Sequence, residues 1–180
     1  MKRPFTLLFL VAVALAITWP AASGATLPNN GSDTYGFFMD VPNVSQDAHG
    51  DTLGVTGDGT FSVHPKSASI SGAYTFTGAD GTRFSGTWTA NGLVDFQPYG
   101  CGVVHTPSGD VILPSNFCGG RVVFDITATT PFGPQRSQLT VFCIIGDPPP
   151  PVEEGIMAVI PSVGDFNRQI HGMNHYVKMT

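Results

Sequence analysis

The sequence predicts an all-β fold, an antiparallel β-barrel of about eight strands, with a two-sheet β-sandwich as the alternative arrangement. Three features point there. The 180-residue chain carries 22 Gly and 15 Pro, a density of turn formers that interrupts helices wherever it falls. Charged residues make up only 12% of the chain, with Glu confined to Glu153 and Glu154 and Lys to Lys2, Lys66 and Lys178, so the residues that fill exposed helix faces are missing. Apolar residues, 42% with 11% aromatic, exclude wholesale disorder and fall into short runs separated by Gly, Asp and Pro.

Residues 1–25 have the order of a secretory signal peptide. Lys2 and Arg3 precede an unbroken apolar run, Leu7 to Ile17, which gives way to Trp19-Pro20 and the small residues Ala21 to Ala25. The run is well short of the ~20 residues a bilayer span needs, and no later segment approaches that length. A secreted, extracellular location is expected, or a periplasmic one if the source is a Gram-negative bacterium. Losing Lys2 and Arg3 takes the formal net charge from −5 to −7. A domain this acidic is repelled by phosphate backbones and anionic lipids, so nucleic acid is not expected as partner, and no membrane span is expected. Residues 26–34 read as a flexible leader. Asn30 and Asn43 head Asn-x-Ser sequons and are the glycosylation candidates, relevant only to a eukaryotic source.

The remainder, 35–180, reads as a single β-domain with strands near 35–41, 53–63, 67–77, 83–97, 101–105, 121–129, 137–146, 154–160 and 170–178. Asp147 and the four prolines Pro148 to Pro151 form a stiff connector that cannot join a ladder.

The clearest element is a hairpin. Ala68, Ile70, Gly72, Tyr74 and Phe76 alternate with Ser and Thr, as do Phe84, Gly86, Trp88 and Ala90 further on. Such alternation buries one face and wets the other. Both apolar sets are even-numbered and must meet face to face, so paired residue numbers sum to an even value. A three-residue loop, Ala79-Asp80-Gly81, satisfies this and puts Gly81 in the left-handed conformation such loops use. Phe76 then faces Phe84, Tyr74 faces Gly86 and Gly72 faces Trp88. A second hairpin follows the same reasoning: Val122, Phe124, Ile126 and Ala128 against Leu139, Val141, Cys143 and Ile145. A turn centred on Phe132-Gly133 pairs Ile126 with Leu139 and Phe124 with Val141, and keeps Pro131 and Pro134 out of the ladder.

Three cysteines in an exported chain leave one over. In the second-hairpin register, Cys143 lies opposite Val122, four residues from Cys118, or about 13 Å along a strand. That disfavours a link between Cys118 and Cys143. Cys101 and Cys118 flank a Pro/Ser/Gly-rich excursion, 102–117, and are expected to close it, leaving Cys143 as a buried apolar filler.

No motif identifies an enzyme, a metal site or a cofactor. A G-x-S-x-G elbow, a P-loop and a C-x-x-C pair are absent. His171 and His175 would share an ion on a helix, but on a strand they lie about 13 Å apart. Asp47, His49, Asp51 and Asp58 match an EF-hand loop poorly, since Thr52 stands where that loop needs Gly. Asp95 and Asp125 fall on the polar side of their strands, and the neighbouring Glu153 and Glu154 face opposite ways.

The reading these residues support is a non-enzymatic secreted β-domain that binds a small apolar molecule or another extracellular surface molecule. Tyr74, Phe76, Phe84, Trp88 and Phe96 are the candidate cavity lining. One alternative is a small barrel isomerase or cyclase, which would need Tyr74, Asp95, Asp125 and His64 turned inward. The other is a structural or host-facing protein acting through its loops, the 102–117 excursion included.

Overall fold

The computed structural model describes residues 33–161 and 163–179. The signal segment, Asn30 and most of the leader lie outside them. The described residues contain no helix, and so none long and apolar enough to cross a membrane. Their strands are β1 (Thr34–Met39), β2 (Asn43–Gln46), β3 (Thr52–Ser62), β4 (Ser67–Thr77), β5 (Arg83–Cys101), β6 (Val103–Thr106) and β7 (Gly109–Ile112). There follow β8 (Phe117–Thr130), β9 (Gly133–Cys143), β10 (Gly155–Ile160), β11 (Gly164–Phe166), β12 (Arg168–His171) and β13 (Asn174–Met179).

The expected all-β, antiparallel class holds, with a different strand count. Six strands, β1, β3, β4, β5, β8 and β13, are hydrogen-bonded in a ring. The ring is closed between β8 and β13 by only two residue pairs, Tyr176–Cys118 and Val177–Phe117. From β8 the sheet runs on through β9, β10 and β11, and from β3 through β2 and β12. β6 and β7 make a separate small hairpin inside the 102–117 excursion. The short strands β2, β7 and β11 have no counterpart in the sequence reading, and the strand expected at 170–178 is two, β12 and β13, broken at Gly172-Met173. Thr34, the last residue of the expected leader, pairs in β1.

The first hairpin has the register that parity required: Phe76 opposite Phe84, Tyr74 opposite Gly86, Gly72 opposite Trp88. Gly78 N–H donates to Thr82 O across the three-residue loop, and Gly81 takes φ +87°. The glycine gaps are used. Trp88 lies across Gly72 and Gly57, which face each other between β3 and β4, and its indole N–H donates to Thr56 O at 2.9 Å. A Cβ at Gly72 would overlap the Thr56 carbonyl and lie 2.7 Å from the Trp88 ring nitrogen.

The second hairpin departs from expectation by two residues. Phe124 pairs with Leu139, Val122 with Val141 and Gly120 with Cys143. The turn is Pro131-Phe132, where Pro131 supplies the fixed φ that suits a turn's first corner. Thr130 Oγ1 accepts from Phe132 N–H and donates to Gly133 O. Pro134 therefore does enter the ladder, opposite Thr129. A slip of two leaves every side chain on its own face, so the apolar pattern alone could not detect it.

β5 runs on to Cys101 and carries bulges at Ala90/Gly92, Leu93/Asp95 and Pro98/Gly100. Each extra residue switches the inward parity, so Leu93 is buried between even-numbered neighbours. The core cluster in this part of the ring is aromatic. Tyr35, Phe37, Phe61, Phe96, Phe124 and Tyr176 pack with ring centroids 5.1–6.1 Å apart, separations at which aromatic pairs attract. Tyr176 is fully buried, its hydroxyl 3.2 Å from Val141 O and 3.3 Å from Gly120 O.

Candidate functional site

The proposed cavity residues part company. Tyr74, Phe76, Phe84 and Trp88 line one slit between the ring strands and β9–β10, together with Leu53, Ile126 and Leu139, but its free volume is only about 30 Å³. That is room for about a water molecule, whereas ligand pockets begin near 300 Å³. Phe96 is elsewhere, packed against Tyr35 and Phe61. The side chains expected to line a cavity fill it instead.

A larger space lies between the 102–117 excursion and the break separating β12 from β13. This groove holds about 470 Å³. Val104 and Leu113 from the excursion, Phe117, Ile144, Ile145 and Met173 give it apolar walls, and Asp40, Glu154, Asn174 and His175 are its polar residues. The excursion is held in place by the disulfide between Cys101 and Cys118, which face each other across β5 and β8 with Cα atoms 3.9 Å apart. A second tie links β6 to the segment after β9: Gly146 N–H donates to Val103 O at 2.7 Å. His105 bridges Asp110 at 2.7 Å and Asp147 at 3.1 Å, which raises the affinity of its ring for a proton, the Asp110 hydrogen bond contributing most.

The opposite wall is positioned by a buried amide pair. Asn43 Nδ2 donates to Asn174 Oδ1 at 3.0 Å, and Asn174 Nδ2 donates back to Asn43 Oδ1 at 2.9 Å. Such a fully paired buried pair fixes the start of β13 against β2. Because Asn43 is fully buried with its amide nitrogen engaged, a glycan on that nitrogen is incompatible with this arrangement.

Glu154 has both carboxylate oxygens engaged by backbone N–H groups, from Asn174 at 2.6 Å and Ile144 at 2.9 Å. Burial nevertheless dominates: desolvation pushes its pKa up to about 7, against the lowering effect of those hydrogen bonds. Asp40 adds negative charge nearby. His175 Nδ1 lies 2.6 Å from Asp40 Oδ2, and its ring is stacked between Phe38 and Phe117, with centroids 5.0 and 4.9 Å away. Behind the groove, Cys143 is a free, fully buried thiol whose Sγ donates to Asn174 O at 3.0 Å. Burial raises its pKa far beyond the range in which a thiolate forms.

The residues named for an enzymatic alternative are not brought together. Tyr74 is buried and donates to Thr129 O at 2.9 Å. His64 is exposed in the turn after β3. Asp95 pairs with Arg121 at 2.6 Å, and Asp125 lies 3.9 Å from Arg136, both pairs half-exposed on the outer face. His171 is exposed while His175 faces Asp40. Asp47 is buried and organises its own loop, accepting from His49 and Asp51 N–H at 2.9 Å each. Among the described residues no three His, Cys, Asp or Glu side chains converge where a cation would sit.

Sequence reasoning did not find the groove. Its polar residues, Asp40, Glu154, Asn174 and His175, come from distant parts of the chain, and no local pattern joins them. The one available signal was Glu154 itself, a rare glutamate placed directly before a buried strand residue. Compared with protein-family models, with curated proteins and with solved structures, the chain matches none.

Proposed function

We propose that this chain is a secreted, non-enzymatic β-domain that binds a small, largely apolar molecule in the groove beneath the disulfide-closed excursion. One observation carries this reading: the slit lined by Tyr74, Phe76, Phe84 and Trp88 leaves about 30 Å³ free, while the groove offers about 470 Å³ with apolar walls and a few converging polar groups, the composition of a small-molecule site. The disulfide is consistent with an extracellular location, and the apolar run at Leu7 to Ile17 supports export.

The alternative in which loops make the contacts meets this one at the excursion, since Val104 and Leu113 are part of it. Its strand β7 also exposes Ile112 (78%) and Val111 (49%) to solvent.

The test is a heteronuclear NMR titration of the disulfide-bonded chain with 2-phenylethanol. Shift changes centred on Val104, Leu113 and Met173, lost in Leu113→Arg, are expected. Changes centred on Trp88 and Tyr74, or none at all, would overturn the assignment of the groove.

A further inference from the structure

The groove's electrostatics distinguish between kinds of apolar molecule. Two carboxylates, Glu154 and Asp40, are among its lining residues, and no Lys or Arg is. Charge on Glu154 is opposed by burial, and its two hydrogen bonds come from neutral backbone donors rather than from a cation. A cation arriving there would supply the missing countercharge in a partly dry site, where it counts for more than in open water. A ligand carboxylate would add a further negative charge. A neutral hydroxyl would add only a hydrogen bond. The chain as a whole, at net −5, also favours approach of cations.

We propose that the groove is selective for apolar amines, with an alkyl- or arylammonium head placed between Glu154 and Asp40 and its hydrocarbon body lying along Leu113, Phe117 and Met173. This rests on the groove being the ligand site. His175 is the residue that tunes it, because its imidazole already lies 2.6 Å from Asp40 Oδ2 and so competes for that carboxylate.

Three probes with nearly the same body separate the two ideas: 2-phenylethylamine, 2-phenylethanol and 3-phenylpropionate, titrated calorimetrically into the disulfide-bonded chain at pH 8, where Glu154 is ionised. The amine is expected to bind about tenfold tighter than the alcohol, and the carboxylate most weakly. Asp40→Asn should shrink the amine's advantage to about twofold, and Glu154→Gln should do so where it folds. Met173→Lys should weaken both the amine and the alcohol, the amine by the larger factor.

Equal binding of amine and alcohol at the groove would overturn the amine preference and leave the groove reading standing. Absence of binding by all three would overturn both. An amine preference that survives Asp40→Asn and Met173→Lys would place the cation elsewhere on this acidic chain and overturn the inference.

Discussion

The interior of the six-stranded ring and the groove at the excursion are built from the same alternating strands, yet they are finished in opposite ways. Inside the ring each large aromatic has a partner that makes room for it. Trp88 lies over Gly57 and Gly72, Tyr74 over Gly86, and Phe37, Phe61 and Tyr176 pack on one another. The polar tips that enter this region donate to backbone carbonyls. At the groove the walls come from three separate places, a disulfide-closed excursion, the segment after β9 and the β12–β13 break, and their side chains leave a space between them. Two carboxylates stand in the remaining space. A strand surface rich in aromatics is therefore no sign of a cavity when glycines face the rings; the space appears where irregular segments converge.

Substitution at a glycine under Trp88 should give the largest effect. A Cβ at Gly72 overlaps the backbone of Thr56 as well as approaching the indole, and backbone cannot step aside as a side chain can. Gly72→Ala is expected to cost more than about 4 kcal/mol or to abolish folding. At Gly81, where φ is +87° and no atom lies within 4 Å, Gly→Ala should cost only about 1 kcal/mol. Urea denaturation of the two variants measures the difference. Similar losses would mean that the ring tolerates strain and is not packed as described.

Next in size is the disulfide. Cys101 and Cys118 are 17 residues apart, and opening a loop of that length removes about 3 kcal/mol of stability. The double variant Cys101→Ala/Cys118→Ala should lose about that much in the same assay. The comparison sharpens in where the loss is felt. Hydrogen exchange should rise most in β6, β7 and the start of β8, while the aromatic cluster around Phe61 keeps its protection as long as the chain stays folded.

How much of this was legible in the sequence depended on what each pattern constrains. Alternation fixes which face a residue is on and nothing more. In the first hairpin the glycines added the missing information, because only one register sets Trp88 on Gly72 and Tyr74 on Gly86. The second hairpin has no such marker, and a shift of two residues passed unseen. The disulfide was legible because glycines and turn formers marked the ends of the excursion. Leu93 was hidden by bulges that reverse parity without any change in composition. The groove was not legible at all: Asp40, Glu154 and His175 become neighbours only through the closure of β1 on β13, and alternation at Glu153-Glu154 said only that they diverge, not which one turns inward.

Glu154 supplies a prediction in pH. Its folded-state pKa, about 7, lies above the ordinary 4.5, so between those values the folded chain holds a proton that the unfolded chain has released. The stabilisation is present in full below about pH 4.5 and is lost as pH rises through about 7, with a total on the order of 3 kcal/mol. Urea midpoints measured from pH 5 to pH 8 should fall across that window and flatten in Glu154→Gln. His105 contributes in the same direction from an exposed position, and Asp110→Asn separates its share. A rising or level profile would mean that Glu154 is better solvated than the groove geometry implies, and the contrast between a dry ring and a half-dry groove would lose its electrostatic half.

The smallest stability change is expected at the groove rim. Met173 is 55% exposed and packs only at the edge of the space, so Met173→Ala should change stability by no more than about 0.5 kcal/mol. By contrast Trp88→Ala, which empties a filled site, should cost about 3–5 kcal/mol. Ligand binding is expected to reverse that order. Met173→Ala should weaken 2-phenylethanol several-fold, because the lost side chain is one of the few walls the molecule would touch. A destabilised but still folded ring variant such as Phe76→Leu should bind as the parent does, its substitution lying in the filled interior. If both variants bind unchanged, the groove is an unfilled margin of the fold. If Phe76→Leu is the one that loses binding, the ligand enters the slit beside Phe76, which would then have to open beyond the 30 Å³ it shows.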